Sequence, residues 1–124
     1  MPGGQVGRVV LAVEDDARNA ALLEAILGPT SHELHVAPSL AEARRWLAGH
    51  AADTVLLDRH LGDGDGLTLV PDIRANAANR SAHIVLVSAS VMEVDRADAL
   101  AAGCDAFLPK PIRIRELLAE VGPD

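Results

Sequence analysis

Short hydrophobic runs alternate along the chain with longer segments in which hydrophobic residues recur at helical spacing. The run Val9–Val13 is continuous and rich in β-branched residues, which is typical of a strand covered on both faces. It is followed by Ala17–Leu27, whose helical pattern ends at Gly28 and Pro29. We therefore predict a first strand and a first helix, with Asp16 as the helix N-cap.

The alternation continues to the end of the chain. Pro71 lies inside one predicted helix and removes a helix hydrogen bond unless it occupies the first turn. The other predicted strands are Glu33–Ala37, Asp53–Asp58, Ile84–Val87 and Ala106–Leu108, and the other predicted helices are Ser39–Gly49, Leu67–Asn76, Val91–Ala102 and Ile112–Val121.

Five strands that alternate with five helices predict an α/β fold, (βα)5, with a doubly wound parallel sheet. No linker interrupts the pattern, so residues 8–121 are expected to form one domain. Residues 1–7 are read as a flexible lead-in with a Gly-rich, polar character, and residues 122–124 as a tail. Ligands of such folds bind beyond the carboxyl ends of the strands.

Composition narrows the possible functions. Hydrophobic residues make up 49% of the 124 residues, which is enough for a real core. Eleven Lys and Arg against eighteen Asp and Glu leave a net charge of −7, which disfavours direct binding to nucleic acid. The single cysteine forms no internal disulfide, and no hydrophobic run is long enough to span a membrane. A cytoplasmic protein without membrane contact is therefore expected.

Polar residues follow four of the five predicted strands. The carboxyl ends of parallel strands meet at one edge of the sheet, so these side chains are expected to converge. Three clustered carboxylates repel one another unless a cation lies among them, and Mg²⁺ fits a set of oxygen ligands best. The alternative is that these acids are simply solvated residues at strand ends with no metal between them. We prefer this alternative only for Asp16. The residues concerned are Glu14, Asp15, Asp16, Asp58, Ser88 and Lys110, the only lysine.

The pattern resembles the receiver domain of two-component response regulators over essentially the full length of the chain. Each fragment is common alone, but their order, spacing and placement at strand ends together form a specific signal. The matching fragments are Val13-Glu14-Asp15-Asp16, Thr54-Val55-Leu56-Leu57-Asp58, Gly66, Val87-Ser88-Ala89 and Phe107-Leu108-Pro109-Lys110-Pro111.

The resemblance implies the flavodoxin-like strand order 2-1-3-4-5 and a phosphoryl group accepted by Asp58. It also implies Mg²⁺, for which Mn²⁺ can substitute. The implied ligands are Asp15, Asp58 and the backbone carbonyl of His60, with Glu14 acting through water. In such domains, the donor is a histidine kinase or a histidine phosphotransfer protein.

Further roles follow from the same resemblance. Ser88 and Lys110 are assigned to the phosphoryl oxygens, and Phe107 to the aromatic position that changes orientation on phosphorylation. The surface formed by the fourth helix, fifth strand and fifth helix would bind a downstream protein. Gly66, Ala89 and Pro111 are assigned to loop geometry, with a cis peptide expected before Pro111.

The sequence departs from the usual pattern at two positions. Gly62 stands where many members carry proline, and Phe107 replaces a common tyrosine. Neither change touches the phosphoryl chemistry. Both are expected to alter how tightly phosphorylation is coupled to the output surface.

Three other functions are possible alternatives for such a sequence. An aspartyl-nucleophile phosphatase of the haloacid dehalogenase type usually has a second acid two residues after the nucleophile, where this sequence has His60. Such an enzyme usually also has a cap-domain insertion, which this sequence does not show. A calcium loop is suggested by Asp63 and Asp65, but Leu61 occupies its first ligand position. A pseudo-receiver that acts as a protein-interaction scaffold would normally have lost one of the acids or the lysine. We expect a phosphoacceptor switch rather than an enzyme that turns over a small substrate.

Overall fold

A single five-stranded parallel sheet organises the computed structural model, which describes residues 7–89 and 92–123. Its strand order, β2-β1-β3-β4-β5, confirms the predicted doubly wound fold. The strands are β1 (Val9–Val13), β2 (Glu33–Ala37), β3 (Thr54–Asp58), β4 (His83–Ser88) and β5 (Ala106–Pro109), and the helices are α1 (Ala17–Leu27), α2 (Leu40–Gly49), α3 (Leu69–Ala75), α4 (Met92–Ala102) and α5 (Ile114–Val121).

Hydrophobic side chains fill both faces of the sheet. Because alternate residues of a strand point to opposite faces, Leu11 and Val13 pack on the side of α2, α3 and α4. Val10 and Ala12 pack on the other side, with α1 and α5. This double covering explains why the central strands are continuous hydrophobic runs rather than alternating ones.

Two helices begin at side-chain caps. The carboxylate of Asp16 accepts the N–H groups of Arg18 and Asn19, which confirms its role as the N-cap of α1. The hydroxyl of Ser39 accepts the N–H of Glu42 at 3.1 Å in α2. The start of α2 has a second cap from a distant residue, because the Asp63 carboxylate accepts the N–H groups of Leu40 and Ala41.

The third helix is shorter than predicted. A 3₁₀ turn at Gly66–Thr68 replaces its first residues, and the α-helix proper runs from Leu69 to Ala75. Pro71 therefore lies in the first turn, where its missing N–H has no intrahelical partner to lose.

Other bounds of the predicted elements need correction. The fifth helix begins at Ile114, because Arg113 is an extended N-cap residue and Ile112 packs against the core from the preceding loop. The Gly- and Asp-rich segment after β3, for which the alternation pattern predicts no strand, forms a two-stranded hairpin that joins His60–Leu61 to Gly64–Asp65. Gly64 adopts a φ of +146°, which favours glycine.

Three expectations fall partly on residues outside the described ranges: the lead-in before Gly7, the start of the fourth helix at Val91 and the last residue of the tail. In the described part of the chain, no helix has the length and hydropathy required to cross a membrane.

Candidate functional site

Three acidic residues converge at the carboxyl edge of the sheet. Glu14 and Asp15 follow β1, and Asp58 is the last residue of β3. One carboxylate oxygen from each of the three lies within 4.8 Å of the others. Glu14 and Asp58 are buried, whereas Asp15 is exposed, so the cluster opens to solvent on the Asp15 side.

Lys110 brings a single positive charge into this cluster. Its Nζ donates to Glu14 Oε1 at 3.1 Å and lies 3.4 Å from Asp58 Oδ2. Its backbone N–H donates to the carbonyl of Ser88 at 2.9 Å, which ties the ends of β4 and β5 together. The peptide bond between Lys110 and Pro111 is cis, as the resemblance implied.

The electrostatics of the cluster are dominated by Asp58. Burial and, after it, the neighbouring charge of Glu14 raise its pKa to about 6, and Lys110 only partly opposes them. Burial lowers the pKa of Lys110, but the hydrogen bond to Glu14 and the charges of both acids outweigh it, so the net shift is upward. The repulsion predicted among clustered carboxylates is thus found at Asp58.

Each of the three acids also accepts a backbone N–H group through one carboxylate oxygen. Asp15 Oδ2 accepts the N–H of Gly62 at 3.0 Å, and Asp58 Oδ1 accepts that of His60 at 3.3 Å. Glu14 Oε2 accepts the N–H of Asp16, so both of its oxygens are engaged. These bonds hold the three side chains at fixed positions around the cluster.

Gly66 is required by a close approach of two backbone segments. A Cβ at this position would overlap the carbonyl oxygen of Asp58, so no other residue fits without displacing the end of β3. The Gly66 N–H also donates to the carbonyl of Arg59 at 2.8 Å. The glycine therefore supports the backbone on which Asp58 is carried.

The other predicted site residues lie at this edge or on the strands that lead to it. Ser88 is buried at the end of β4, and Ala89 follows it as an exposed residue. Phe107 is buried in β5, with the guanidinium of Arg96 over its ring at 5.4 Å from the centroid. His60 is exposed on the hairpin beside Asp58.

The residues of the cluster suit Mg²⁺. They offer oxygen ligands alone, one of the acids is solvent-exposed, and a hard cation would offset the repulsion that raises the pKa of Asp58. Among the residues that the structure describes, no other group of three His, Cys, Asp or Glu side chains has this geometry.

The hairpin acids that suggested a calcium loop have other partners. Asp63 caps α2, and those backbone hydrogen bonds lower its pKa. Asp65 accepts the N–H of Leu67 at 2.9 Å and pairs with Arg59. The calcium reading is therefore not supported by the positions of these side chains.

Sequence reasoning missed one group of residues beside the site, which we call the Arg59 network. Arg59 Nη1 contacts Asp95 Oδ1 at 2.9 Å and Asp98 Oδ2 at 2.7 Å, both on α4. Arg59 Nη2 lies 3.4 Å from Asp65 Oδ2 on the hairpin. The only sequence signal is an arginine next to Asp58 and acids at helical spacing in α4, which does not identify partners.

Comparison with known proteins agrees with the fold and the site. The model of the response regulator receiver domain family matches residues 10–122. The transcriptional regulatory protein GltR of Pseudomonas aeruginosa is 35% identical over 115 residues, covering 93% of this chain and 48% of its own length. The transcriptional regulatory protein PhoP of Escherichia coli is 32% identical over 112 residues, and the match covers 90% of this chain and 49% of PhoP. The chain thus spans about half the length of these relatives.

Two solved structures are similar along nearly the whole chain. A response regulator structure from Chloroflexus aurantiacus is 27% identical, with a TM-score of 0.86, and the match covers 93% of this chain and 94% of that one. The receiver domain of sensor histidine kinase PA1611 from Pseudomonas aeruginosa is 28% identical, with a TM-score of 0.83 and coverage of 94% and 95%. That structure contains a magnesium ion coordinated in its active-site cleft.

The fold and the site together define a doubly wound α/β domain with an acidic pocket at the carboxyl edge of its sheet. This chain belongs to the response regulator receiver domain family of two-component signalling. The resemblance seen in the sequence is confirmed.

Proposed function

We propose that this domain accepts a phosphoryl group on Asp58 from a phosphohistidine of a histidine kinase or a histidine phosphotransfer protein. The observation that carries the proposal is the position of Asp58. Its carboxylate ends β3 within the acidic cluster and lies 3.4 Å from the ammonium of Lys110. A carboxylate placed beside a cation and near further acids suits a nucleophile for phosphoryl transfer.

The transfer step conserves the phosphoryl group. A carboxylate oxygen of Asp58 forms a bond to phosphorus while the bond from phosphorus to the donor imidazole breaks, and the imidazole leaves with that electron pair. The transition state spreads negative charge over the equatorial oxygens, so positioning and charge neutralisation supply most of the catalysis. Lys110 and the Ser88 hydroxyl are the side chains of this chain proposed to contact those oxygens.

Mg²⁺ is proposed to be held by Asp15, Asp58 and the backbone carbonyl of His60, with Glu14 acting through water. Both oxygens of Glu14 already accept hydrogen bonds, which supports an indirect role. When bound, the ion would supply positive charge against the phosphoryl oxygens and the clustered carboxylates. Mn²⁺ is expected to substitute because it also accepts oxygen ligands.

The output is proposed to be a change of surface rather than turnover of a small substrate. The phosphoryl group would draw Ser88 inward, and Phe107 would fill the space that is vacated. This change would bias the surface of α4, β5 and α5 towards a downstream protein. Support comes from the burial of Ser88 and Phe107 on neighbouring strands that lead into these elements.

The test is phosphorylation of the full chain by acetyl phosphate with and without Mg²⁺, followed by intact-mass measurement. We expect one Mg²⁺-dependent phosphoryl addition to wild type and to Asp63→Asn, and none to Asp58→Asn. The same addition to Asp58→Asn would contradict the site. No addition to wild type would contradict the function and favour the pseudo-receiver alternative.

A further inference from the structure

The Arg59 network joins the residue next to the acceptor to a helix of the proposed output surface. One guanidinium contacts two carboxylates on α4, from Asp95 and Asp98, and a third on the hairpin, from Asp65. Of the three acids, Asp95 is buried, with 2% of its surface exposed. The network therefore fixes the first half of α4 against the loop that follows β3.

The backbone that carries Arg59 is itself held on two sides. Its N–H donates to the carbonyl of Val87 in β4 at 3.3 Å, and its carbonyl accepts the N–H of Gly66 at 2.8 Å. Because Asp58 precedes it directly, the guanidinium extends from the same short segment that presents the acceptor. Movement of α4 away from this segment must break the contacts to Asp95 and Asp98.

The charges of the network are unbalanced. One cation faces three carboxylates, and among the described residues no donor reaches the buried Oδ2 of Asp95. A buried carboxylate oxygen without a donor among these residues costs stability, and the pair with Arg59 offsets part of that cost while tying α4 to the loop after β3. A phosphoryl group on Asp58 would add negative charge one residue away from that arginine.

From these contacts we propose that the Arg59 network holds α4 in the position it has without a phosphoryl group and so opposes switching. This inference rests on the proposed function and adds a positioning residue, Arg59, that acts through Asp95 and Asp98. By linkage, an interaction made only in the unphosphorylated arrangement weakens binding of a phosphoryl group, and its removal strengthens that binding by the same factor.

The test uses Asp98→Asn, because Asp98 is partly exposed and its replacement leaves the buried Arg59–Asp95 pair intact. The matched control is Asp72→Asn, which removes one carboxylate from an exposed pair with Arg44 on a different part of the surface. Both variants lose one negative charge, so they separate the network from a general charge effect.

The probe is beryllofluoride, a phosphoryl analogue, titrated at saturating Mg²⁺ and followed by NMR of the α4 amides. We expect Asp98→Asn to bind it about two- to fivefold more tightly than wild type, the range set by one partly exposed ion pair. Asp72→Asn should match wild type. The Mg²⁺ dissociation constant should change no more in Asp98→Asn than in the control.

A merely structural role predicts a lower melting temperature with equal or weaker beryllofluoride binding, and that result in Asp98→Asn would overturn the proposal. Tighter binding in both variants would also overturn it, since charge alone would then suffice. If wild type binds no beryllofluoride and accepts no phosphoryl group, the proposed function itself fails. If wild type binds beryllofluoride and Asp98→Asn binds it equally well, the proposed role of the Arg59 network is wrong, but the proposed function is not affected.

Discussion

The two edges of the sheet differ in how the negative charges of their polar side chains are balanced. At the amino edge, two polar side chains accept backbone N–H groups of residues distant in sequence: Asp53 accepts the N–H of Val9 at 2.7 Å, and Asn79 accepts that of Ala52 at 2.8 Å. At the carboxyl edge, Glu14 and Asp58 are buried together with one lysine between them.

The positively charged side chains at the two edges also differ in their partners. At the amino edge, Arg74 donates to the carbonyls of Arg80, Ala82 and Gly103 and to the carboxylate of Asp105. At the carboxyl edge, Lys110 contacts two carboxylates, and the pKa of Asp58 still lies well above its ordinary value. The polar side chains described at the amino edge thus contribute hydrogen bonds that stabilise the fold. The carboxyl edge instead retains uncompensated negative charge, which suits a bound cation or a phosphoryl transfer site.

Substitution at the amino edge should have the largest effect on stability. Asn79 is buried, and its amide also donates to the carbonyls of Leu47 and His50. Asn79→Ala would leave the Ala52 N–H without its acceptor and should lower the free energy of unfolding by about 2–4 kcal/mol. Urea denaturation measures this. Asn76→Ala, at a partly exposed amide nearby, is the control, and an equal loss there would show that the burial and hydrogen bonds of Asn79 do not set the effect.

At the carboxyl edge, removal of a charge should stabilise the metal-free protein. The pKa of Asp58 in the folded state, about 6, exceeds its ordinary value of 3.8, so the folded state binds this proton more tightly than the unfolded chain. Its charge therefore destabilises the fold above pH 6, and this cost declines as the pH falls towards 3.8.

The corresponding variant is Asp58→Asn, compared with wild type by urea denaturation in EDTA at pH 8 and at pH 5. We expect the variant to be more stable by about 1–3 kcal/mol at the higher pH and by less at the lower one. A variant that is less stable than wild type at pH 8 would show that the carboxyl edge is not under electrostatic strain.

Metal binding should depend more on Asp15 than on Glu14. Asp15→Ala removes a proposed direct ligand and should weaken Mg²⁺ binding by about tenfold, whereas Glu14→Ala removes a group that acts through water and should have a smaller effect. Calorimetric titration with Mg²⁺ compares the two. Asp63→Asn controls for net charge, and identical titration curves for wild type and Asp15→Ala would exclude the assignment.

The smallest expected effect concerns the shape of the cation at this edge. Lys110→Arg keeps the charge, but the larger planar guanidinium cannot occupy the point at which Nζ contacts both Glu14 and Asp58. We expect the initial rate of phosphorylation by acetyl phosphate to fall by about two- to fivefold. A rate and a switching response equal to those of wild type would mean that charge alone matters.

Local pattern was sufficient for much of the fold. The strands Val9–Val13 and Glu33–Ala37 and the helix Ala17–Leu27 have the bounds that periodicity and capping residues predict. The convergence of Glu14 and Asp58 also followed from sequence, since parallel strands bring their carboxyl ends to one edge. These features depend on residues that are close in the chain or on a general rule of sheet geometry.

Tertiary structure alone decided the features that depend on partners distant in sequence. These features are the cap that Asp63 provides to α2, the choice of Glu14 as the hydrogen-bond acceptor of Lys110, and the Arg59 network. Each joins segments whose hydrophobic periodicity does not indicate the partner. The start of α5 at Ile114 was likewise set by packing of the preceding loop. Hydrophobic spacing specifies which face of an element is buried, whereas the pairing of single polar side chains is determined only when the packed elements bring them within hydrogen-bonding distance.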